Sequence, residues 1–419
     1  MRVVIASLLT AFLLPAAQFE ADSTWKTWAP RDEIAPRAWK DTNTFRTAPP
    51  SLAISGASNQ AAAGGWQRDV AGIETGKWYR LKAYFRSAAV AHENLQVLAR
   101  IDWRRADGKR AGQPEYGWRI RGAGEWKEVT IEAPAPEKVS AARIQLHLQN
   151  SPQGAVWFDD LSFESIPAPA ARKVHVASVN LWPKQTGARE ESVRQFYEYV
   201  RANVADGVDV ILLPEGITVV GTGKSYAEVA ETIPGPTTEQ LAELARAKNA
   251  WVVAGIYERE EQAMYNTAVL IDRKGNVAGR YRKVYLPREE IEGGLTPGSD
   301  YPVFATDFGK VGVMICWDLQ YADPARHLAL RGAELLLVPI WGGNETLGKA
   351  RAIENRVFIA TSGYDYPTYV MDPDGEILAL ARENGSTATA TIDLARRYAD
   401  PWLGDMRGRF FKELRTDLE

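Results

Sequence analysis

The sequence predicts a two-domain protein in which an all-β domain precedes an α/β sandwich. Its length of 419 residues exceeds what one ordinary hydrophobic core accommodates. Short alternating strands fill the first part of the chain, whereas strands alternate with amphipathic helices in the second. The composition also changes near residue 166, because nine of the fourteen tryptophans precede it. These three observations favour two separate domains.

The first residues have the layout of a secretory signal peptide. Arg2 gives a positive start, residues 3–17 are almost wholly apolar, and small residues follow. The apolar run is short for a permanent membrane anchor, which is the alternative interpretation. We therefore expect residues 1–21 to be removed and the protein to be secreted or periplasmic.

The next region, residues 22–165, is predicted to be a β-sandwich of the jelly-roll kind. Turn residues separate short segments that alternate between apolar and polar side chains, most regularly at 142–148. The strand candidates are 78–85, 95–103, 127–131, 142–148 and 156–163. A stiff Pro- and Ala-rich linker follows at 166–172.

The last region, residues 173–419, is predicted to be the α/β domain. Predicted strands are 174–179, 208–213, 251–256, 268–271, 311–315 and 335–338, and predicted helices are 190–204 and 237–248. A further helix is expected to have Asp323 as its N-cap and Pro324 as its first residue.

Charge and cysteine content narrow the function. The net charge of −3 and the pI near 6.0 give no basic stripe, so we expect no nucleic-acid partner. The chain has one cysteine, Cys316, which cannot form an internal disulfide. A lone thiol in an exported protein is either buried and inert or reactive.

Cys316 ends an apolar strand, where ligand sites of α/β proteins gather. A nucleophilic thiol needs a base. His327, on the following helix, is one candidate. Glu215, which follows the buried strand 208–213, is the other, since an apolar surrounding makes a carboxylate a better base. Lys283 could stabilise an oxyanion or favour the thiolate.

These residues lie in segments that resemble the motifs of the nitrilase, or carbon–nitrogen hydrolase, superfamily. The segments are Leu-Leu-Pro-Glu-Gly around Glu215, Tyr-Arg-Lys-Val-Tyr-Leu-Pro around Lys283, and Phe-Gly-Lys-Val-Gly-Val-Met-Ile-Cys-Trp-Asp around Cys316. Their order and their spacings of 68 and 33 residues also fit. The resemblance extends over about 172–412 and includes 265–268, 351–355 and 405–407.

The resemblance implies a four-layer α-β-β-α sandwich that forms a homodimer or a higher homo-oligomer. It implies Glu215 as general base, Lys283 as oxyanion stabiliser and Cys316 as nucleophile, with the backbone N–H of Trp317 completing the oxyanion hole. It implies hydrolysis of an amide C–N bond or attack on a nitrile, without metal or cofactor.

Relatives often have a second active-site glutamate, and the loop 289–298 contains three candidates. We assign this role to Glu292, while Glu289 and Glu290 remain open alternatives. Trp341, Asn344 and Tyr364 are predicted to contact the small-molecule amide or nitrile substrate, together with Trp317.

The β domain resembles galactose-binding-like jelly rolls and carbohydrate-binding modules at 76–85 and 154–163. The resemblance implies a glycan ligand, since aromatic faces bind sugars. Asp159 and Asp160 are candidates for a structural calcium site. A non-catalytic binding protein, with a silent hydrolase-like scaffold, is the competing hypothesis.

Overall fold

The computed structural model describes residues 17–122, 124–364 and 367–418. The chain divides into two compact units. One contains the chain up to residue 169 together with the segment from 399 onward, and the other contains residues 170–398. Most of the expected signal peptide, residues 1–16, lies outside the described residues. Within the described ranges, no helix has the length and apolar character needed to cross a membrane.

The first unit consists of antiparallel strands. The strands are β1 (Ala17–Phe19), β2 (Lys26–Trp28), β3 (Arg37–Asp41), β4 (Ser51–Ser55), β5 (Ala63–Ala71), β6 (Trp78–Ala88), β7 (Val97–Arg104), β8 (Glu115–Tyr116), β9 (Arg119–Arg121), β10 (Lys127–Pro134), β11 (Ala141–Gln149) and β12 (Ala155–Ile166). The helical pieces are a 3₁₀ turn at Asp32–Ile34 and the one-turn helix α1 (Glu93–Gln96).

Two sheets enclose one hydrophobic core in this unit. One sheet has the order β3-β4-β12-β6-β10-β9, with β1 added to β12, and the other has the order β2-β5-β11-β7-β8. Strand β6 shows why they pack, since Tyr79, Leu81, Ala83 and Phe85 face the core while the residues that alternate with them are partly exposed. This is a β-sandwich; its jelly-roll identity stays a prediction.

The two features expected to bind ligands in this unit are largely engaged by the protein itself. Trp25, Trp66 and Trp103 are buried in the core, and no tryptophan of the described residues 22–165 is strongly exposed. Asp159 accepts a hydrogen bond from the backbone N–H of Arg46, and Asp160 pairs with the Arg46 guanidinium. A guanidinium at this position disfavours a bound calcium ion.

The second unit alternates strands and helices. Its strands are β13 (Lys173–Asn180), β14 (Val210–Leu212), β15 (Trp251–Glu260), β16 (Ala263–Ile271), β17 (Val277–Arg282), β18 (Val303–Ala305), β19 (Lys310–Val313), β20 (Leu335–Pro339), β21 (Phe358–Ser362), β22 (Thr368–Met371), β23 (Ile377–Ala381) and β24 (Ser386–Asp393). Its helices are α2 (Arg189–Asn203), α3 (Tyr226–Val229), α4 (Pro236–Lys248), α5 (Arg288–Glu292), α6 (Asp323–Leu330) and α7 (Glu345–Asn355).

Two six-stranded sheets form the centre of this unit. Their orders are β17-β16-β15-β14-β13-β24 and β18-β19-β20-β21-β22-β23, and each has three parallel strands in its middle. Apolar side chains of both sheets, such as Val176 and Leu337, form one shared core. Helices α2 and α4 cover the outer face of the first sheet, and α6 and α7 pack against the second. The mixed α/β fold is confirmed.

Two details of the predicted α/β domain need correction. Helix α6 begins at Asp323 with Ala322 as its N-cap, and the Asp323 carboxylate accepts a hydrogen bond from the Tyr285 hydroxyl instead of capping the helix. The segment from residue 399 also belongs to the first unit rather than the second.

This C-terminal segment comprises β25 (Ala399–Asp400), β26 (Gly404–Asp405) and α8 (Met406–Glu413). It joins the first unit because its side chains find their partners there. The ring of Phe411 stacks on Trp118 with 4.8 Å between centroids, and Lys412 Nζ donates to the Val97 carbonyl at 3.2 Å.

Candidate active site

Glu215 lies where the chain leaves strand β14, three residues after the strand ends. The neighbouring strand β15 fixes this position, because the Gly255 N–H donates to the Pro214 carbonyl at 3.0 Å. A Cβ on Gly255 would come within 2.6 Å of the Glu215 Cα, so only glycine allows so close an approach. The Glu215 side chain is buried as a result.

Lys283 follows strand β17 and points to Glu215. Its backbone N–H donates to the Asn266 carbonyl at 2.9 Å, which fixes the turn. Its ammonium donates to Glu215 Oε1 at 2.8 Å and to Glu290 Oε1 at 3.0 Å. An ammonium carries three protons, so one donor remains after these two bonds.

Glu290, and not Glu292, is the second glutamate of this cluster. Helix α5 turns the Glu290 side chain inward, where it is buried beside Lys283. Glu292 faces outward, with 68% of its side chain exposed, and lies 3.7 Å from Arg288. Glu289 is also exposed and pairs with Arg288. The assignment of Glu292 from the sequence is therefore corrected to Glu290.

Asn266, on strand β16, connects the two carboxylates. Its side-chain N–H group donates to Glu215 Oε1 and to Glu290 Oε1, at 2.7 Å each. The second carboxylate oxygens, Glu215 Oε2 and Glu290 Oε2, are buried without a protein donor among the described residues. Both oxygens therefore keep the capacity to accept a hydrogen bond or a proton.

The charges of this cluster shift the pKa of its members in the directions that burial and pairing predict. Burial alone lowers the pKa of Lys283, but the charges of Glu215, Cys316 and Glu290 outweigh burial and raise it. Burial also raises the pKa of Glu290, against the opposing effect of Lys283. The lysine therefore stays protonated in this site.

Cys316 begins a 3₁₀ turn, Cys316–Gln320, just beyond strand β19. Its φ of 43° lies in the left-handed region, which a residue with a side chain rarely adopts. Residues in this region persist where the surrounding structure holds them in place, and active sites are among the places where they cluster. The residue as a whole is partly exposed, and its thiol donates to the Gly342 carbonyl at 3.5 Å.

Two charges of the cluster act on this thiol. Burial and the negative charge of Glu215 raise the pKa of Cys316 to about 12, although Lys283 opposes them. The resting thiol therefore keeps its proton, and attack on a substrate requires a base at the moment of reaction.

Asp318 holds the turn that carries Cys316. Its buried carboxylate accepts from the Ile315 N–H at 2.9 Å, the Tyr285 N–H at 2.9 Å and the Tyr281 hydroxyl at 2.7 Å. Tyr281 and Tyr285 flank Lys283, so one carboxylate joins the lysine segment to the cysteine segment. Burial raises the pKa of Asp318 to about 6, against the effect of these hydrogen bonds.

The other residues predicted for the site differ in whether they adjoin the reacting groups. Trp317 follows the thiol, and its N–H lies in the first turn of the 3₁₀ helix, where backbone donors lack helical partners. Tyr364 is buried and donates its hydroxyl to the Glu215 carbonyl at 2.7 Å. The Asn344 side chain is engaged elsewhere, since it caps helix α7 by accepting from the Thr346 N–H. The ring of His327, the other candidate base, stacks on the ring of Tyr301 and does not join the cluster of charged side chains.

Trp182 is an additional residue of this region. It lies in the loop after strand β13, and its ring contacts those of Trp341 and Tyr364 at centroid distances of 5.8 Å and 5.1 Å. A tryptophan just past the end of a parallel strand was the available sequence signal. We call Trp182, Trp341 and Tyr364 the aromatic wall.

Sequence comparison agrees with this geometry. The sequence pattern described as "Carbon-nitrogen hydrolase" matches residues 175–401, more than half of the chain and all of the site described above. The chain belongs to the carbon–nitrogen hydrolase family.

Proteins of other organisms are similar to about half of this chain. Omega-amidase NIT2 of Homo sapiens is 28% identical over 261 residues, covering 55% of this chain and 91% of that protein. A probable nitrilase of Schizosaccharomyces pombe is 32% identical over 245 residues, covering 53% and 89%. The crystal structure of a Helicobacter pylori carbon–nitrogen hydrolase is 22% identical, covers 59% of this chain and 96% of that one, and has a TM-score of 0.48. By its family and its relatives, this chain is an enzyme of the amidase/nitrilase type.

Proposed function

We propose that this carbon–nitrogen hydrolase cleaves a linear, non-peptide amide through a thioester on Cys316 and releases ammonia or an amine. The observation that carries the proposal is the pairing of Lys283 with Glu215 and Glu290 beside the strained Cys316. Removing a lysine and two carboxylates from water costs free energy, and such buried charge clusters concentrate at active sites.

In the first step, Glu215 takes the thiol proton while the Cys316 sulfur bonds to the amide carbon. The unpartnered Glu215 Oε2 is the atom available to receive that proton. The carbonyl oxygen becomes an oxyanion, which receives hydrogen bonds from the third proton of Lys283 and from the Trp317 N–H. Glu215 then gives the proton to the leaving nitrogen, the C–N bond breaks, and a thioester remains.

The second step reverses these roles with water. Glu215 takes a proton from water as its oxygen attacks the thioester carbon, and the same donors hold the new oxyanion. The acid leaves as the C–S bond breaks, and the sulfur recovers its proton. Glu290 keeps Lys283 and Asn266 in position throughout, as their hydrogen bonds indicate.

Ammonia release from a panel of amides and nitriles tests the proposal, with Cys316→Ala and Lys283→Ala as variants. We expect Cys316→Ala to abolish release. Lys283→Ala should reduce kcat roughly a hundredfold or more, as the loss of one oxyanion donor typically does. Lys349→Ala, which changes a lysine paired with Glu345 on helix α7, is the matched control and should retain activity. Turnover that survives Cys316→Ala would refute the mechanism, and activity confined to nitriles would replace amide hydrolysis with nitrile hydrolysis.

We also propose export by cleavage of an N-terminal signal peptide, supported by the apolar run at 3–17. The contacts of strand β1 support a cleavage point closer to the N-terminus than residue 21. Strand β1 pairs with β12, and Phe19 is buried against Trp25 in the sandwich core. A chain that begins at residue 22 would lack this strand. N-terminal sequencing of the exported protein should therefore find a start at or before Ala17, which keeps strand β1 whole. A start at residue 22, or a protein retained with Met1, would contradict this.

Oligomerisation and glycan binding remain proposals as well. The family resemblance supports a homodimer or higher homo-oligomer, which sedimentation would measure. Because the tryptophans of the β-sandwich are buried or half-buried, only the strand pattern supports glycan binding. A glycan array with the full chain would test it.

A further inference from the structure

We propose that the substrate is a primary amide whose acyl group ends in an aromatic or similarly flat apolar group, and that the aromatic wall binds that group. This inference rests on the proposed amide hydrolysis. It concerns the part of the substrate that does not react.

The first observation is the geometry of the wall. The ring centroids of Trp341 and Tyr364 are 4.8 Å apart, and Trp182 meets both rings edge to face. Trp182 and Trp341 each keep 38% of their surface exposed. Large aromatic residues that are held rigidly by one another, and remain exposed, offer flat apolar area at little cost in side-chain entropy.

The second observation is that the wall adjoins the reacting groups. The Tyr364 hydroxyl binds the Glu215 carbonyl, and a Cβ on Gly216 would lie 3.5 Å from the Trp341 ring. Gly342, the residue after Trp341, accepts the hydrogen bond of the Cys316 thiol. Apart from its chain neighbours, a Cβ on Gly342 would meet no atom within 4 Å, so the Cβ position of this residue faces open space.

The third observation decides which half of the amide faces the wall. Glu215 must give its proton to the leaving nitrogen, and both Glu215 and Lys283 are almost fully buried, at 2% and 1% exposed. The nitrogen therefore enters the enclosed side of the site, which suits ammonia as the product. The acyl group extends the other way, toward the exposed rings of Trp182 and Trp341.

The charged side chains around the site also favour an uncharged acyl group. Lys283, the cation of the cluster, already binds two carboxylates. Among the described residues, no lysine or arginine stacks on any ring of the wall. An acyl group that ends in a carboxylate would have to be desolvated against apolar rings.

The test compares three primary amides with the full enzyme: phenylpropanamide with its ring at the end of the chain, propanamide and succinamate. We expect KM to be about tenfold or more lower for phenylpropanamide than for propanamide, as the burial of one ring against aromatic side chains provides. Trp341→Ala and Trp182→Ala should each remove most of this difference in KM between the two amides. Trp402→Ala, at an exposed tryptophan of the first unit, is the matched control and should leave this difference unchanged.

The possible results distinguish failure of this inference from failure of the proposed amide hydrolysis. Hydrolysis that depends on Cys316 but shows no preference for phenylpropanamide, or a preference for succinamate, would overturn the role of the wall and leave amide hydrolysis intact. A preference that survives both tryptophan variants would do the same. Absence of any hydrolysis that depends on Cys316 would overturn the proposed function, and the substrate class with it.

Discussion

The three glutamates of helix α5 show where residue-scale reasoning succeeds and fails. Glu215 and Cys316 were predictable because each follows an apolar strand. Lys283 follows the largely polar strand β17, and only the motif around it pointed to a role in the site. Glu290 was not predictable, since Glu289, Glu290 and Glu292 lie within four residues and only the helical direction separates them. The apolar neighbour Ile291 misleads, because it is 60% exposed while Glu290 is buried.

Glu290→Gln should lower kcat at least tenfold while leaving the fold intact. The glutamine side chain of this variant retains an oxygen for Asn266 but lacks the negative charge that helps to position Lys283. Glu292→Gln is the matched control and should retain wild-type kcat. Steady-state ammonia release by the two variants measures the difference; equal rates for both would show that the geometry of this cluster does not decide catalysis.

Asp318 gives a prediction about pH. The pKa of its carboxyl is near 3.8 when the chain is unfolded and about 6 when it is folded, so the folded protein binds this proton more tightly. Its contribution to stability is then fully present below pH 3.8 and is lost as pH rises through about 6. We expect the stability difference between wild type and Asp318→Asn to shrink between about pH 4 and pH 7, by at most about 3 kcal/mol. Denaturant unfolding at both pH values measures it; a difference that grows with pH would be the contrary result.

At the scale of elements, most of the helices and strands that were predicted for the α/β unit lie within a few residues of their observed bounds, whereas strands such as β21 to β24 were not predicted. Helix α4 begins one residue before its predicted start, at a proline suited to the first turn. The errors occur where tertiary contacts override local signals. Asp323 binds Tyr285 rather than capping its helix, and the short strand β1 exists only because β12 offers it an edge.

Strand β15 supplies the element-scale prediction. Gly255→Ala would place a Cβ 2.6 Å from the Glu215 Cα and force the two segments apart. We expect kcat to fall on the order of tenfold or more, since a displaced base loses its alignment with the thiol. Gly124→Ala is the control, because its Cβ would meet nothing within 4 Å and its φ lies outside the left-handed region. Unchanged kcat in Gly255→Ala would mean that the strand does not set the position of Glu215.

At the scale of the whole molecule, the sequence predicts two units but not the place of the segment from residue 399 onward. Helix α8 is short, and its pattern of apolar residues does not specify which surface it covers. The decision depends on the Trp118 ring and the Val97 carbonyl, which are distant in sequence. The spacing of apolar residues within one helix does not predict contacts with residues so distant in sequence.

Phe411→Ala should therefore destabilise the first unit by about 2 kcal/mol through loss of a stacked aromatic pair and of buried area. Leu418→Ala, at a residue that is 65% exposed, is its control. Thermal unfolding of the full chain measures stability, while kcat at room temperature should stay unchanged because the reacting residues lie in the other unit. A loss of kcat without loss of stability would contradict the division into units.

The two central sheets of the α/β unit have a further consequence. Glu215 and Lys283 leave the first sheet, whereas Cys316 leaves the second. Neither sheet alone carries a complete set of reacting groups, so a chain in which the sheets have formed but not docked is inactive. Recovery of turnover after dilution from denaturant would then report the docking of the two sheets, later than the return of backbone structure that circular dichroism detects.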